Sequence, residues 1–196
     1  MLRHAGEYVK TKEYQEKALA ISIEIGDRER ETRCYGNLGT VFQSLGDYVK
    51  AKEYQEKALA ICIEIDDKEG EAACYGNLGT VFRSLGDSVK AKEYQEKALA
   101  ISIEIGDKEG EATCYGNLGT VFQYLGDYVK AKEYQEKALA IRIEIGDRKG
   151  EATCYGNLGR VVQFLGDYVK AKEYQEKALA ISIEIGHRME EITCYR

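Results

Sequence analysis

The 196-residue chain contains no proline, where ordinary usage would place about ten. Proline stops helices and shapes loops, so its absence, beside 20 glycines, points to long helices joined by glycine-marked turns. Disorder of the low-complexity kind is excluded by 15 tyrosines and a 44% hydrophobic content, because disordered segments are poor in aromatics. No apolar run approaches the roughly 18 to 20 residues that cross a bilayer, and Met1-Leu2-Arg3-His4 leads straight into a charged stretch with no apolar signal core. A basic surplus is missing too. The net charge is -6 and the isoelectric point about 5.2, which argues against a nucleic-acid partner held through its phosphates; with no spanning run, no membrane is expected as a partner either.

Chemistry-bearing residues are equally sparse. Only two histidines occur, His4 and His187, near opposite ends. No Cys-x-x-Cys pair exists among the six cysteines, so no zinc site is expected. Five of the cysteines repeat once per unit on a helix face, and packed helices stand about 8–10 Å apart, further than a disulfide normally spans. Buried free thiols in a reducing cytoplasm are the expectation. The carboxylates are spread along solvent faces with lysine partners, so no acid–base pair is singled out. No catalytic residue, metal or cofactor is expected.

What is present is a repeat. Residues 71–110 and 111–150 align without a gap and differ only at 73, 83, 84, 88, 102, 108, 109 and their counterparts. Cys34, Cys74, Cys114, Cys154 and Cys194 form one column at a period of 40, and Gly46, Gly86, Gly126 and Gly166 another. The chain divides into a half repeat 1–30, full repeats 31–70, 71–110, 111–150 and 151–186, and the start of a further repeat at 187–196.

Each unit reads as two helices. The first spans about 68–85 and stops at Gly86, a position suited to a left-handed residue. The second spans about 88–105 and stops at Gly106. Its Ala91, Tyr94, Ala98, Ile101 and Ile105 recur every three or four residues as one buried stripe. Lys92, Glu93, Glu96 and Lys97 form the opposite, solvated face, with Glu93 placed to pair with Lys97. Within the first helix, Gly76 and Gly79 each cost about 1 kcal/mol relative to alanine. Close helix approach at Gly79 and a groove floor at Gly76 are the expected compensations.

The string Tyr75-Gly76-Asn77-Leu78-Gly79-Thr80-Val81-Phe82, followed by Leu85-Gly86-Asp87 and then Ala91, Tyr94, Ala98 and Leu99, resembles the tetratricopeptide repeat over essentially the whole chain. The usual unit of that family has 34 residues and tends to end in proline; here the unit is longer and proline-free, as in the long-repeat polarity proteins of the LGN/Pins type. The resemblance implies an all-α, right-handed solenoid of stacked antiparallel helix pairs, with a concave face lined by the first helices that holds a peptide.

On the first helix Arg33, Gly36, Asn37, Thr40, Gln43 and Ser44 share one side, at 100° per residue. Repetition sets Asn37, Asn77, Asn117 and Asn157 in register. An asparagine amide offers donors and an acceptor, so such a ladder can pair with the backbone of an extended peptide, and the resemblance implies that role. The other groove positions are Thr40, Thr80 and Thr120 with Arg160 in their column; Gln43, Gln123 and Gln163 with Arg83 in theirs; and Arg33, Tyr124 and Phe164. Three arginines with no acid on the same stripe point to an acidic extended peptide, with Tyr124 and Phe164 adding an apolar contact. The expected function is a non-enzymatic protein–protein interaction scaffold. The alternative is a self-assembly module, stacking head to tail into a homo-oligomer through its uncapped ends, with Tyr8, Tyr14, Ala18 and Ile21 at one end and Ile192 and Cys194 at the other.

Overall fold

A computed structural model of the chain describes the backbone from Leu2 to Cys194 and the side chains of residues 10–186. Among the described residues there are nine α-helices and no strand. They fall into two compact units. The first holds α1 (Leu2–Ile25), α2 (Arg28–Ser44), α3 (Tyr48–Glu64), α4 (Lys68–Ser84) and α5 (Ser88–Glu104). The second holds α6 (Lys108–Tyr124), α7 (Tyr128–Glu144), α8 (Arg148–Phe164) and α9 (Tyr168–Cys194). Within each unit every helix packs on its sequence neighbours, and α2 also reaches α4 as α6 reaches α8. This is the all-α solenoid of helix pairs that the repeat predicts.

One dipeptide makes nearly every turn. Gly46 has φ +80°, its N–H donates to the Gln43 carbonyl at 3.0 Å, and the Asp47 N–H donates to the Phe42 carbonyl at 2.9 Å. These two bonds satisfy carbonyls that the helix end leaves bare. Asp47 then caps the next helix, its carboxylate accepting from the Lys50 N–H at 3.1 Å. The arrangement recurs through Gly166-Asp167. Asp66 alone replaces the glycine, with φ +57°.

At 186–187 the pattern fails. Gly186 is helical and α9 runs on to Cys194, where the repeat leads one to expect a stop and a new first helix. Gly186 keeps the glycine of that column, but His187 stands where the other turns carry aspartate, and an imidazole there supplies no carboxylate cap for a following helix. The side chains of Tyr8, His187, Ile192 and Cys194 lie outside the described residues.

The core follows the apolar columns. Leu38, Phe42, Ala51 and Val81 form one cluster in the first unit, and Phe122, Ala131 and Val161 its counterpart in the second. Full burial of such a leucine or phenylalanine contributes about 1.5–3 kcal/mol. Ala91, Ala98 and Ile101 are buried as expected, but Ile105 is exposed, because the helix ends at Glu104 and Ile105 is the cap residue. The charged face differs in detail as well. Lys92 pairs with Glu96 at 3.5 Å, while Lys97 lies over the Tyr75 and Tyr94 rings at 5.4 and 5.3 Å, a cation–π seat that takes it from Glu93. Cys34, Cys62, Cys74, Cys114 and Cys154 are buried free thiols. Cys62 and Cys74 meet beside Ala58, on helices adjacent in the chain rather than on stacked first helices.

Candidate functional site

Each unit carries a bay between consecutive first helices. In the first unit a bay of about 700 Å³ opens between α2 and α4, with Arg33, Asn37 and Thr40 on one wall, Ala73 and Asn77 on the other, and Gln55 in the floor. In the second unit a bay of about 410 Å³ lies between α6 and α8, lined by Asn117, Thr120, Thr153 and Asn157 over Gln135. The structure thus brings Arg33, Asn37, Thr40 and Asn77 together, and separately Asn117, Thr120 and Asn157. Outside these two bays lie Thr80, Arg83, Gln43, Gln123, Gln163, Arg160, Tyr124 and Phe164.

The asparagines are not idle. Asn37 donates from Nδ2 to Gln15 Oε1, Asn77 to Gln55 and Asn157 to Gln135, each at 3.4 Å. The glutamines in turn donate to a glycine carbonyl: Gln55 to Gly36 at 3.0 Å, Gln95 to Gly76 at 2.8 Å, Gln135 to Gly116 at 2.8 Å and Gln175 to Gly156 at 3.2 Å. A relay therefore runs from the asparagine of one first helix, through the second helix before it, into the first helix of that earlier pair. The glutamines of α3, α5 and α7 are almost fully buried, and a buried amide must find partners.

The mid-helix glycines serve this relay. A Cβ built on Gly79 would stand 2.6 Å from Gln95 Nε2, and one on Gly119 2.7 Å from Gln135 Nε2. The expected close approach at Gly79 is real, but the group that approaches is a side chain rather than a helix backbone. At Gly36, Gly76 and Gly156 a Cβ would meet nothing within 4 Å, in keeping with a groove floor. Sequence reasoning missed the glutamine column. Its signal was a Gly-x-x-Gly pair followed by glutamine at a fixed distance in every unit.

The threonines are partly engaged as well. Thr40, Thr80 and Thr120 each donate from Oγ1 to the carbonyl four residues back, at 3.1 Å. Phe164 stacks on Tyr128 at 4.8 Å between centroids and is 66% exposed, as Tyr124 is 70% exposed. Arg160 donates to Asn157 Oδ1.

The groove is not purely basic. Glu29, one turn before Arg33, and Asp67 line the first bay; Glu109 and Asp147 line the second. Arg142, in the column that holds Cys62 and Ser102 elsewhere, is tied into the second bay through Asp147 Oδ2 at 2.7 Å and Thr113 Oγ1 at 2.6 Å. Lys149 stands in that bay where the earlier repeats carry Glu29, Glu69 and Glu109. Burial pushes the Cys154 thiol up to about 11, and Cys74 higher still. No group of three or more metal-ligating side chains occurs among the described residues, and no described helix is long and apolar enough to cross a membrane.

The family model described as "Tetratricopeptide repeat" matches residues 1–64, 35–104, 71–144 and 110–184. Among solved structures, BtubC (BKLC) from P. vanneervenii is 27% identical, with a TM-score of 0.82 over 94% of this chain and 76% of its own. A putative kinesin light chain from Podosopora anserina with nearly identical TPR-like repeats is 21% identical, with a TM-score of 0.72 over 93% of this chain and 90% of its own. Aspartyl phosphate phosphatase F from Bacillus subtilis is 20% identical, with a TM-score of 0.82 over 89% of this chain but 46% of its own. No curated protein sequence matches the chain.

Proposed function

Since the chain belongs to the tetratricopeptide repeat family, we propose that it is a non-enzymatic protein-interaction scaffold whose bays bind an extended, acidic peptide. The observation that carries this reading is the set of cations without a carboxylate partner. Most basic side chains of the described helices make ion pairs or lie over rings; besides Lys10 and Lys17 on α1, those that do neither are Arg33, Arg83, Lys149 and Arg160. Two of them line bays that also hold the asparagine amides. Amides take the peptide backbone and the cations take its side-chain carboxylates, while Glu29 and Glu109 limit how many acids each bay accepts. Tyr124 and Phe164 offer an apolar contact beside the second bay. The buried free thiols suit a reducing compartment such as the cytoplasm.

Binding of acidic peptides from an array, repeated from about 50 to about 500 mM salt, tests the charge part: affinity should fall with salt, and an unchanged affinity overturns it. Peptides that bind equally well after charge reversal would overturn it too.

A second reading, end-to-end self-association, is favoured by the exposure of Tyr14, Ala18 and Ile21 on α1. Light scattering across a concentration series tests it, and a strict monomer throughout removes it.

A further inference from the structure

The two bays share one architecture but not one set of charges. Arg142 of α7 stands in the column that holds Cys62 on α3, and Gly150, Asp147 and Cys154 around it correspond to Gly70, Asp67 and Cys74. In the second unit the arginine runs past Gly150, where a Cβ would stand 2.5 Å from Arg142 Cδ, and donates to Asp147 Oδ2 at 2.7 Å. In the first unit the side chain in that column ends at the Cys62 thiol, which lies 2.7 Å from the place of a Cβ on Gly70. Nothing on α3 reaches on to where a guanidinium would sit, and the bay there is the larger, about 700 Å³ against about 410 Å³.

Asp67 says what this space fits. Its Oδ1 accepts from the Gly70 N–H at 2.9 Å and caps α4, as Asp147 Oδ1 caps α8. The second oxygen differs. Asp147 Oδ2 holds Arg142, whereas Asp67 Oδ2 is met by the Cys62 thiol at 4.0 Å. Asp67 makes no ion pair among the described residues, unlike the capping Asp27, Asp47 and Asp87 of the same unit. Of the charged groups lining the first bay, two are carboxylates, Glu29 and Asp67, and one is a cation, Arg33. In the second bay Glu109 and Asp147 are balanced by Arg142 and Lys149. A half-buried carboxylate has lost part of its hydration, and a guanidinium replaces it with a charge-assisted bond.

We propose that Asp67 receives a guanidinium from the ligand: an arginine side chain of the bound peptide takes, in the first bay, the place that Arg142 takes in the second. This rests on the reading of the bays as peptide sites and adds one requirement to the ligand, an arginine within an otherwise acidic segment. Arg33 stands in the column of Thr113, which accepts from Arg142 at 2.6 Å. The ligand's guanidinium therefore faces a like charge on that side, and a neighbouring ligand carboxylate on Arg33 offsets the repulsion. The recognised unit is an arginine beside an acid. Lysine serves less well, because a point charge lacks the planar fork.

The test uses the full chain and two small probes. N-acetylarginine carries both charges, and N-acetylcitrulline has the same shape without the cation. The Gly70 amide, hydrogen-bonded to Asp67, should shift saturably in NMR spectra as N-acetylarginine rises to about 50 mM, the range suited to a single charge pair. It should not shift with N-acetylcitrulline. Asp67→Asn keeps a capping residue and should lose the response. Cys62→Arg, which supplies the guanidinium from the chain itself, should lose it too. Circular dichroism reports folding, and either variant suffices where the other fails to fold. An unresponsive Gly70, an equal response to N-acetylcitrulline, or a response that survives in a folded variant each overturns the proposal. Exchanging glutamate for glutamine in acidic peptides, which tests the preference for acid, leaves Asp67 and its guanidinium unchanged, so the two readings fail separately.

Discussion

Gln135 donates from Nε2 to the Gly116 carbonyl across the α6–α7 packing at 2.8 Å, and the side chain occupies the space a Cβ on Gly119 would need. Two glycines on one helix therefore have opposite sensitivities. Gly116→Ala adds a methyl whose nearest neighbour is Ala138 Cβ at 4.0 Å, so the helix gains up to about 1 kcal/mol from propensity. Gly119→Ala gains the same propensity but drives its Cβ to 2.7 Å from Gln135 Nε2 and 2.9 Å from its Cγ. Moving that amide breaks a buried hydrogen bond, so the net effect is a loss of about 1–3 kcal/mol. Urea denaturation of both variants gives the signs. In a Gln135→Ala background the Gly119→Ala penalty should disappear, since the methyl then enters vacated space; persistence of the penalty would refute the steric origin.

Asp66 breaks the glycine column at the α3–α4 turn with φ +57°. A left-handed backbone costs a non-glycine residue roughly 1–2 kcal/mol, less for aspartate than for most others. Asp66→Gly should therefore raise stability by about 0.5–1 kcal/mol at that turn, read as a higher urea midpoint with an unchanged slope. The neighbouring Asp67 cap on Gly70 at 2.9 Å is untouched by the change, so a drop in stability would mean that the Asp66 carboxylate contributes something the turn geometry does not account for.

Much of this fold is local enough to read from one unit. The helix stop at Gly86 and the start at Ser88 follow from a glycine that takes positive φ and an aspartate that caps, both properties of single residues. Leu78 and Ala98 are buried because their spacing matches the helix period. Gln95 escapes that logic. It sits in a charged stretch beside Tyr94, and its burial depends on an absent side chain at Gly79, on a different helix. The candidate site divides the same way. The asparagine column is evident at once, but that Asn77 already donates to Gln55 depends on stacking between units of the repeat. The acid at Glu29 lay one helical turn before Arg33, and a stripe begun at residue 33 passed it by. Tyr124 and Phe164 share the stripe of the asparagines in the sequence, but both lie outside the bays, and Phe164 stacks on Tyr128.

Stability should depend on pH through the caps. Asp47, Asp127 and Asp167 are held below the ordinary carboxylate value, first by the backbone N–H groups of Lys50, Lys130 and Lys170 and then by the side-chain charges of the same lysines. A depressed folded-state value means the charged form is favoured in the folded protein. The contribution is complete above the unfolded value, near about 3.9, and is lost as pH falls through the lower folded value. Thermal melts should be flat from neutral pH down to about 5 and decline below about 4. Asp47→Asn, Asp127→Asn and Asp167→Asn combined should flatten the acid limb, because asparagine caps without titrating.

The thiols should be silent in the folded protein. Burial raises Cys154 to about 11 and Cys74 beyond it, so at about pH 8 the neutral thiol dominates even before access is counted. Ellman's reagent added to the native chain should label none of Cys34, Cys62, Cys74, Cys114 and Cys154 at an appreciable rate, and all five in denaturant. Prompt native labelling of Cys74, located by mass spectrometry, would show that α3 and α4 separate readily around the Cys62–Cys74 contact.

Lys149 and Arg160 offer the sharpest handle on the groove, because neither makes an ion pair that a substitution would break. Exposed charge pairs contribute about 0.2–1 kcal/mol each, so Lys149→Glu and Arg160→Glu should each weaken an acidic peptide by more than Lys149→Gln and Arg160→Gln, which remove attraction without adding repulsion. The neutral changes should cost about 1.4- to 5-fold in affinity. The Lys149 variants should retain wild-type melting temperatures, and the Arg160 variants should melt only slightly lower, since they lose one exposed hydrogen bond to Asn157 Oδ1. If the neutral variants bind as tightly as the parent while the chain stays folded, the ligand is held by the asparagine amides and the apolar rim alone, and the preference for acid is wrong. Fluorescence anisotropy with one labelled acidic peptide and its glutamine-for-glutamate counterpart decides between these outcomes, since only a charge-reading groove separates the two.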